Sequence, residues 1–211
     1  GSILYLICGM NFFDALNHSI AALSTGGFST KVGNIYDFHS TSIELVSMIL
    51  MLLGGTNFVI HILLLKRKFK SVILHSETLF GFFLLISFVS VAVTIMSLTG
   101  FETDNNLFMV VSFQLISALT TTGFQNIADI NILPHFFIGM MIIFMLIGGE
   151  MGSTAGGIKQ YRIVTCFKGV SHYISSSMRS SKIFHPSKIR KGEDVLYLDE
   201  SDFSSNYAFV F

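Results

Sequence analysis

Ser24-Thr25-Gly26-Gly27-Phe28 and, 96 residues further on, Thr120-Thr121-Thr122-Gly123-Phe124 close two short apolar stretches, and these closings decide how the chain is read. The stretches, Phe12 to Leu23 and Leu107 to Leu119, are twelve and thirteen residues long. As helix each covers only about 20 Å, whereas a membrane crossing needs about 20 apolar residues. Each is followed by a polar loop and then by a longer apolar run. That pattern predicts a helix that enters a membrane and returns on the same side.

Composition agrees with a membrane setting. Of the 211 residues, 51% are apolar and 12% are charged, about half the charged share of a soluble domain. Thirteen basic residues balance thirteen acidic ones, so no net charge recommends nucleic acid as a partner. Cys8 and Cys166 are too few and too far apart for a disulfide framework or a zinc site. The first ten residues lack an initiator Met and a signal layout, and the last apolar run stops abruptly, so an internal fragment is expected.

Two apolar runs have the length of a span, Ile43 to Leu65, interrupted by Glu44 and His61, and Leu79 to Leu98. A third, Ile132 to Gly149, runs into Glu150 and a glycine-rich stretch, and is expected to span with a broken cytoplasmic half. Twelve of the thirteen basic residues lie in two blocks, Lys66 to Lys70 and Lys159 to Lys191. By the positive-inside rule both blocks are cytoplasmic, and the two short helices dip in from outside.

The 96-residue offset also pairs Phe12 with Phe108 and Ala22-Leu23 with Ala118-Leu119, and at an offset of 94 Met51 to Gly55 matches Met145 to Gly149. The chain therefore repeats a unit of outer helix, half-helix, Thr/Gly turn and inner helix, and such repeats surround a shared axis or site. Irregular backbone at membrane depth is tolerated where it lines a cavity or is buried in protein. Glycine lets successive carbonyl oxygens turn toward one axis and replace a cation's water shell. A helix C-terminus pointing at that axis adds partial negative charge. The candidate ion-coordinating residues are Thr25, Gly26, Gly27 and Phe28 with Thr121, Thr122, Gly123 and Phe124, acting through backbone carbonyls. The two phenylalanines are expected to pack behind their turns.

These residues resemble the Trk/Ktr/HKT potassium transporters, most closely the bacterial TrkH branch. Phe13 to His18 with Ser24 to Thr30 looks like the second pore loop of that family, Thr120 to Phe124 like the third, and Gly148 to Lys159 like the interrupted inner helix of the third repeat. His185-Pro186 is similar to the loop leading to the fourth. The resemblance implies an all-α polytopic membrane protein with helix, pore loop and helix units around a pseudo-fourfold cation pore. On this pattern residues 1–66 form the second pore repeat, 67–76 a basic cytoplasmic linker, 77–165 the third repeat, 166–205 a cytoplasmic loop and 206–211 the start of the fourth repeat. It implies potassium uptake through the inner membrane with K+ as the transported ion, no organic cofactor and no catalysis. It further implies lipid contact, a homodimer and a nucleotide-binding regulatory subunit of the TrkA type.

Five glycines lie between Gly148 and Gly157, each costing about 1 kcal/mol against Ala inside a helix. The inner helix is expected to unwind there. The resemblance assigns this stretch a gating role, and the gate residues are Gly148, Gly149, Gly152, Ser153, Thr154, Ala155, Gly156, Gly157 and Lys159. A small-residue packing surface is the competing explanation. Glu150 is read either as a cation-attracting or helix-bracing residue or, the favoured reading, as the partner of a base such as Lys159 or one from a further repeat, and Lys159 and Arg162 are expected to anchor at the cytoplasmic face. An intramembrane enzyme using His18, His61, Glu150 or Ser153 lacks any recognised spacing. A purely structural subunit would not need two glycine turns at matching depth. The basic and serine-rich stretch from Gly169, with the acidic one from Glu193 to Asp202, reads as a flexible linker.

Overall fold

The chain was analysed as a computed structural model, which describes residues 1–73, 75–101, 106–177, 187–191 and 194–198. His185-Pro186, most of the acidic stretch and the expected start of a further repeat lie outside the described residues.

Both short helices fall where their length predicts. Helix α1 (Ser2–Ile7) leads to α2 (Phe12–Leu23), the first half-helix, and then to α3 (Thr41–Gly55) and α4 (Phe58–Leu65). Helix α5 (Phe69–Ile73) lies in the basic linker, where no element is expected from the sequence. It is followed by α6 (Ser76–Leu98), the second half-helix α7 (Leu107–Leu119), α8 (His135–Ile147) and α9 (Gln160–Ser177). Asn11 and Asn106 cap α2 and α7, their side chains accepting from the N–H groups of Asp14 and Phe108, which satisfies donors that a helix start leaves unpaired.

Three expectations need correction. The run from Ile43 to Leu65 is not one helix: α3 and α4 meet at a bend of 106°. Gly54 and Gly55 form the last residues of α3, where the chain passes too close for side chains. A Cβ on Gly54 would stand 2.5 Å from the Leu23 carbonyl oxygen, and one on Gly55 would stand 2.7 Å from Thr120 Cγ2. The polar pair Thr56-Asn57 then restarts the helix, Asn57 capping Val59 N–H, while His61 Nε2 lies 2.9 Å from the Leu53 carbonyl oxygen across the bend. Second, residues 166–205 are not all loop, since α9 extends to Ser177. Third, Ser187–Lys191 and Asp194–Leu198 form an antiparallel pair, β1 and β2, in register Ile189 to Leu196 and Lys191 to Asp194. Ile189, Val195 and Tyr197 are strand formers, which a reading by charge alone passes over.

The long helix α6 has the length and apolarity to cross a membrane, and α3 with α4 makes a second, broken candidate. Each half-helix sits in a core of its own unit. Tyr5, Ala15, Ile43, Met48 and Met51 pack in the N-terminal unit, and Leu84, Met96, Val110, Leu115 and Phe137 in the C-terminal one. The units interlock through α7, whose Phe113, together with Phe124 beyond it, is buried in the N-terminal core.

Candidate functional site

The two half-helices end in the same way, bond for bond. In α2, Thr25 N–H donates to Ala22 O at 3.2 Å and Gly26 N–H to Ala21 O at 2.8 Å. In α7, Thr121 N–H donates to Ala118 O at 3.0 Å and Thr122 N–H to Ser117 O at 2.9 Å. This is a Schellman ending, whose left-handed residue is usually glycine. Here it is threonine twice, with φ of 53° at both Thr25 and Thr121. A β-branched residue in that region is strained, by roughly 1 to 3 kcal/mol. Backbone strain at the same place in both units marks a site where the side chain has a task.

The task is visible in the glycine-rich segment. The chain leaves α8 at Ile147 and returns to it: Ile158 N–H donates to Leu146 O at 2.9 Å and Lys159 N–H to Ile147 O at 3.0 Å. These bonds satisfy carbonyls that the end of a helix leaves open, and residues 148–157 make the excursion between. Gly148 and Gly157 lie back to back at its neck, where a Cβ on Gly157 would stand 2.6 Å from Gly148 Cα. The excursion is tied to both turns. Thr154 Oγ1 stands 3.3 Å from Thr25 Oγ1, 3.0 Å from Leu23 O and 2.9 Å from Gly54 O. Gly156 N–H donates to Thr121 Oγ1 at 2.6 Å. Glycine in place of either threonine would relieve the strain and lose the contact.

The turns also meet each other. A Cβ on Gly27 would run into the Thr122 carbonyl oxygen and stand 3.5 Å from the Gly123 carbonyl carbon. Gly27 and Gly123 both have positive φ, 70° and 87°, but the space beside Gly123 is open. Phe124 is buried as expected, its ring 5.9 Å from that of His18. Phe28 is not, being 83% exposed; Phe124 packs against the N-terminal unit and not behind its own turn, and Phe28 enters no core among the described residues.

The remaining residues of the excursion fasten it to the bend between α3 and α4. Glu150 does not pair with Lys159. Its Oε2 accepts from Asn57 N–H at 3.1 Å, its own N–H donates to Gly55 O at 3.0 Å, and Phe58 N–H donates to Gly152 O at 3.2 Å. A half-buried Lys159 turns back and donates to Ala155 O, and Arg162 donates to Ile158 O at 3.1 Å. Both side chains thus reach back to carbonyls at the end of the excursion. Ser153 Oγ donates to Glu150 O at 2.6 Å and Gly149 packs on Ala155, so these two shape the excursion from within.

Sequence reasoning missed the side chains that brace the turns. In the N-terminal unit Thr30 Oγ1 donates to Asp14 Oδ1 at 2.5 Å, and His18 bridges Asp14 O and Ser29 Oγ, each at 2.8 Å. In the C-terminal unit Gln114 Nε2 reaches Asn126 Oδ1 at 3.2 Å, and Ser117 Oγ accepts from Gly123 N–H and donates to Phe124 O. His18 and Gln114, like Thr30 and Asn126, are 96 residues apart. The repeat offset therefore carried the signal, in positions where the residue types differ.

Residues 7–193 match the family profile described as TrkH, a cation transport protein. The Trk system potassium uptake protein TrkH of Halomonas elongata is 31% identical over 191 residues, covering 89% of this chain and 38% of the relative. The protein of the same description from Escherichia coli K12 is 30% identical over 184 residues, 86% of this chain and 36% of the relative. The crystal structure of the potassium transporter TrkH from Vibrio parahaemolyticus superposes with a TM-score of 0.84 at 22% identity, over 98% of this chain and 44% of that one. The chain thus spans somewhat more than a third of the length of the curated relatives it matches, and has the helical fold of that membrane transporter. On the profile match it belongs to the TrkH family of cation transport proteins.

Proposed function

We propose that the chain forms two adjoining walls of a potassium uptake path in the cell's inner membrane, with the carbonyl oxygens of Thr25 to Phe28 and Thr121 to Phe124 coordinating K+. The observation that carries this reading is the contact of Gly27 with Thr122 and Gly123, which sets two turns of like backbone side by side. Carbonyl dipoles bind a desolvated alkali ion without a carboxylate, and neither turn contains one. The curated relatives described as potassium uptake proteins supply the ion. The resemblance to the family's pseudo-fourfold pore implies two further walls, so the complete pore is read as four repeats, with 1–66 and 77–165 as the second and third.

The excursion from Gly148 to Lys159 is the gate. Its ties to Thr25 and Thr121 hold it against the turns, and its glycines let it move aside. The basic blocks are read as marking the cytoplasmic side, and the basic 159–191 region as the part that meets a nucleotide-binding regulatory ring. The whole subunit is read as a homodimer in contact with lipid.

Rubidium uptake by the full-length protein in proteoliposomes tests the path. Gly123→Ala is expected to abolish selective uptake, and wild-type selectivity in that variant rejects it. Gly156→Ala with Gly157→Ala tests the gate, and unchanged flux together with unchanged closure rejects that part alone.

A further inference from the structure

Three buried side chains form a line that crosses from one unit to the other behind the second turn. Gln114 on α7 donates to Asn126 Oδ1 at 3.2 Å, and Asn126 Nδ2 donates to Glu44 Oε2 at 2.9 Å. Their exposures are 1%, 0% and 5%. Glu44 belongs to the first turn of α3, in the N-terminal unit. An ionised carboxylate only accepts, so Asn126 has to offer it the amide N–H group and keep its own oxygen for Gln114. Glu44 thereby sets the direction of the whole line.

Asn126 lies three residues beyond Gly123, and the backbone between them has little slack. Gly123 N–H and Phe124 O are both held by Ser117 Oγ, and Gln125 O accepts from Tyr36 N–H at 3.2 Å. A displacement of Asn126 is passed to the turn. In the N-terminal unit the matching residue, Thr30, is held by Asp14 of the same half-helix. The position that corresponds to Asp14 in α7 is Val110, which has nothing to offer. Glu44 provides from the neighbouring unit the carboxylate that α7 lacks.

We infer that Glu44 is a positioning residue for the second turn, fixing through Asn126 and Gln114 the placement of Gly123 and with it the preference among alkali ions. The inference rests on the reading of the two turns as the ion's coordinating walls. Its test is the ratio of Rb+ to Na+ uptake by the full-length protein in proteoliposomes. Glu44→Ala is expected to lower that ratio about tenfold, the factor that corresponds to one lost hydrogen bond of about 1.4 kcal/mol. Asn126→Ala should do the same, and the double variant should be no worse than either single one, because both break one line. Glu44→Gln retains an oxygen that accepts from Asn126 and should restore the ratio, an outcome that a merely structural role does not require.

A wild-type ratio in Glu44→Ala, or effects that add in the double variant, overturns the proposal. So does a Glu44→Gln variant as impaired as Glu44→Ala, because the charge and not the hydrogen bond would then be what the path uses. If Glu44→Ala fails to fold, Gln114→Leu breaks the far end of the line and is judged by the same ratio, a fall supporting the proposal and a wild-type value overturning it. Selectivity that survives Gly123→Ala removes the underlying reading; selectivity lost in Gly123→Ala but kept in Glu44→Ala removes this inference alone.

Discussion

The two half-helices end in the same backbone and are braced by different chemistry. Thr25 and Thr121 share a φ of 53° and the same pair of capping bonds, yet the loop beyond Gly27 is held by an aspartate and a histidine of its own helix, and the loop beyond Gly123 by a serine, two amides and a carboxylate from the neighbouring unit. What the two share is the position of the strut, one half-helix turn to one exit loop. Geometry is thus kept while the residues that enforce it drift, and the consequence is a difference in dependence: the first turn stands within its own unit, and the second needs α3.

The sharpest way to break that likeness is at the glycines. Gly27→Ala meets a carbonyl oxygen as well as a disfavoured φ, whereas Gly123→Ala meets only the φ. Gly27→Ala is therefore expected to lower the melting temperature of the detergent-purified full-length protein more than Gly123→Ala does, with the extra clash costing about 1 to 3 kcal/mol on top of about 1 kcal/mol of backbone strain. Equal shifts would mean that the turns do not touch. Next is Ser117→Ala, which strands Gly123 N–H and the Phe124 carbonyl at about 1 to 3 kcal/mol. Its counterpart in α2 is already Ala21, so the same measurement on Ala21→Ser should show no matching gain.

Asp14→Ala comes third. It removes the acceptor of Thr30 and Asn11, and about 1 to 2 kcal/mol of stability is expected to go with it, again read as a melting shift. Lys31→Ala is the smallest. Lys31 stands 3.7 Å from Asp14 with its side chain 44% exposed, and a pair of that kind contributes from nothing to about 1 kcal/mol. A shift as large as that of Asp14→Ala would show that the ion pair, and not the hydroxyl and amide contacts, holds the first loop.

Much of this was legible beforehand. The lengths of α2 and α7, the break after Ile147 and the pairing of the turns followed from apolar run length, glycine content and a single offset. The bend at Gly54-Gly55 was legible too, because those glycines match Gly148-Gly149, but an apolar run of spanning length broken only by scattered polar residues looks like one span when hydropathy is the only measure. The braces were hidden for another reason. Glu44, Gln114 and Asn126 are far apart in sequence and unlike their counterparts in the other unit, and the bond between α3 and the second loop exists only once the two units interlock. Glu150 shows the same limit: a carboxylate in an apolar stretch suggests an ion pair before it suggests a helix brace, and the bond it accepts from the backbone of the α3–α4 bend exists only in the fold.

The hydroxyls of Thr25 and Thr121 are the fastenings by which the glycine-rich excursion is latched to the two turns, through Thr154 and Gly156. Bonds of that kind contribute about 0.5 to 1.5 kcal/mol each in net terms, so these two hydroxyls add only about 1 to 3 kcal/mol to the ties that the excursion makes with α2 and with the α3–α4 bend. That is the size of the coupling energies by which effectors commonly act at a distance. On the gating role proposed above, a ligand that prefers the freed turns by that amount is enough to loosen this contact.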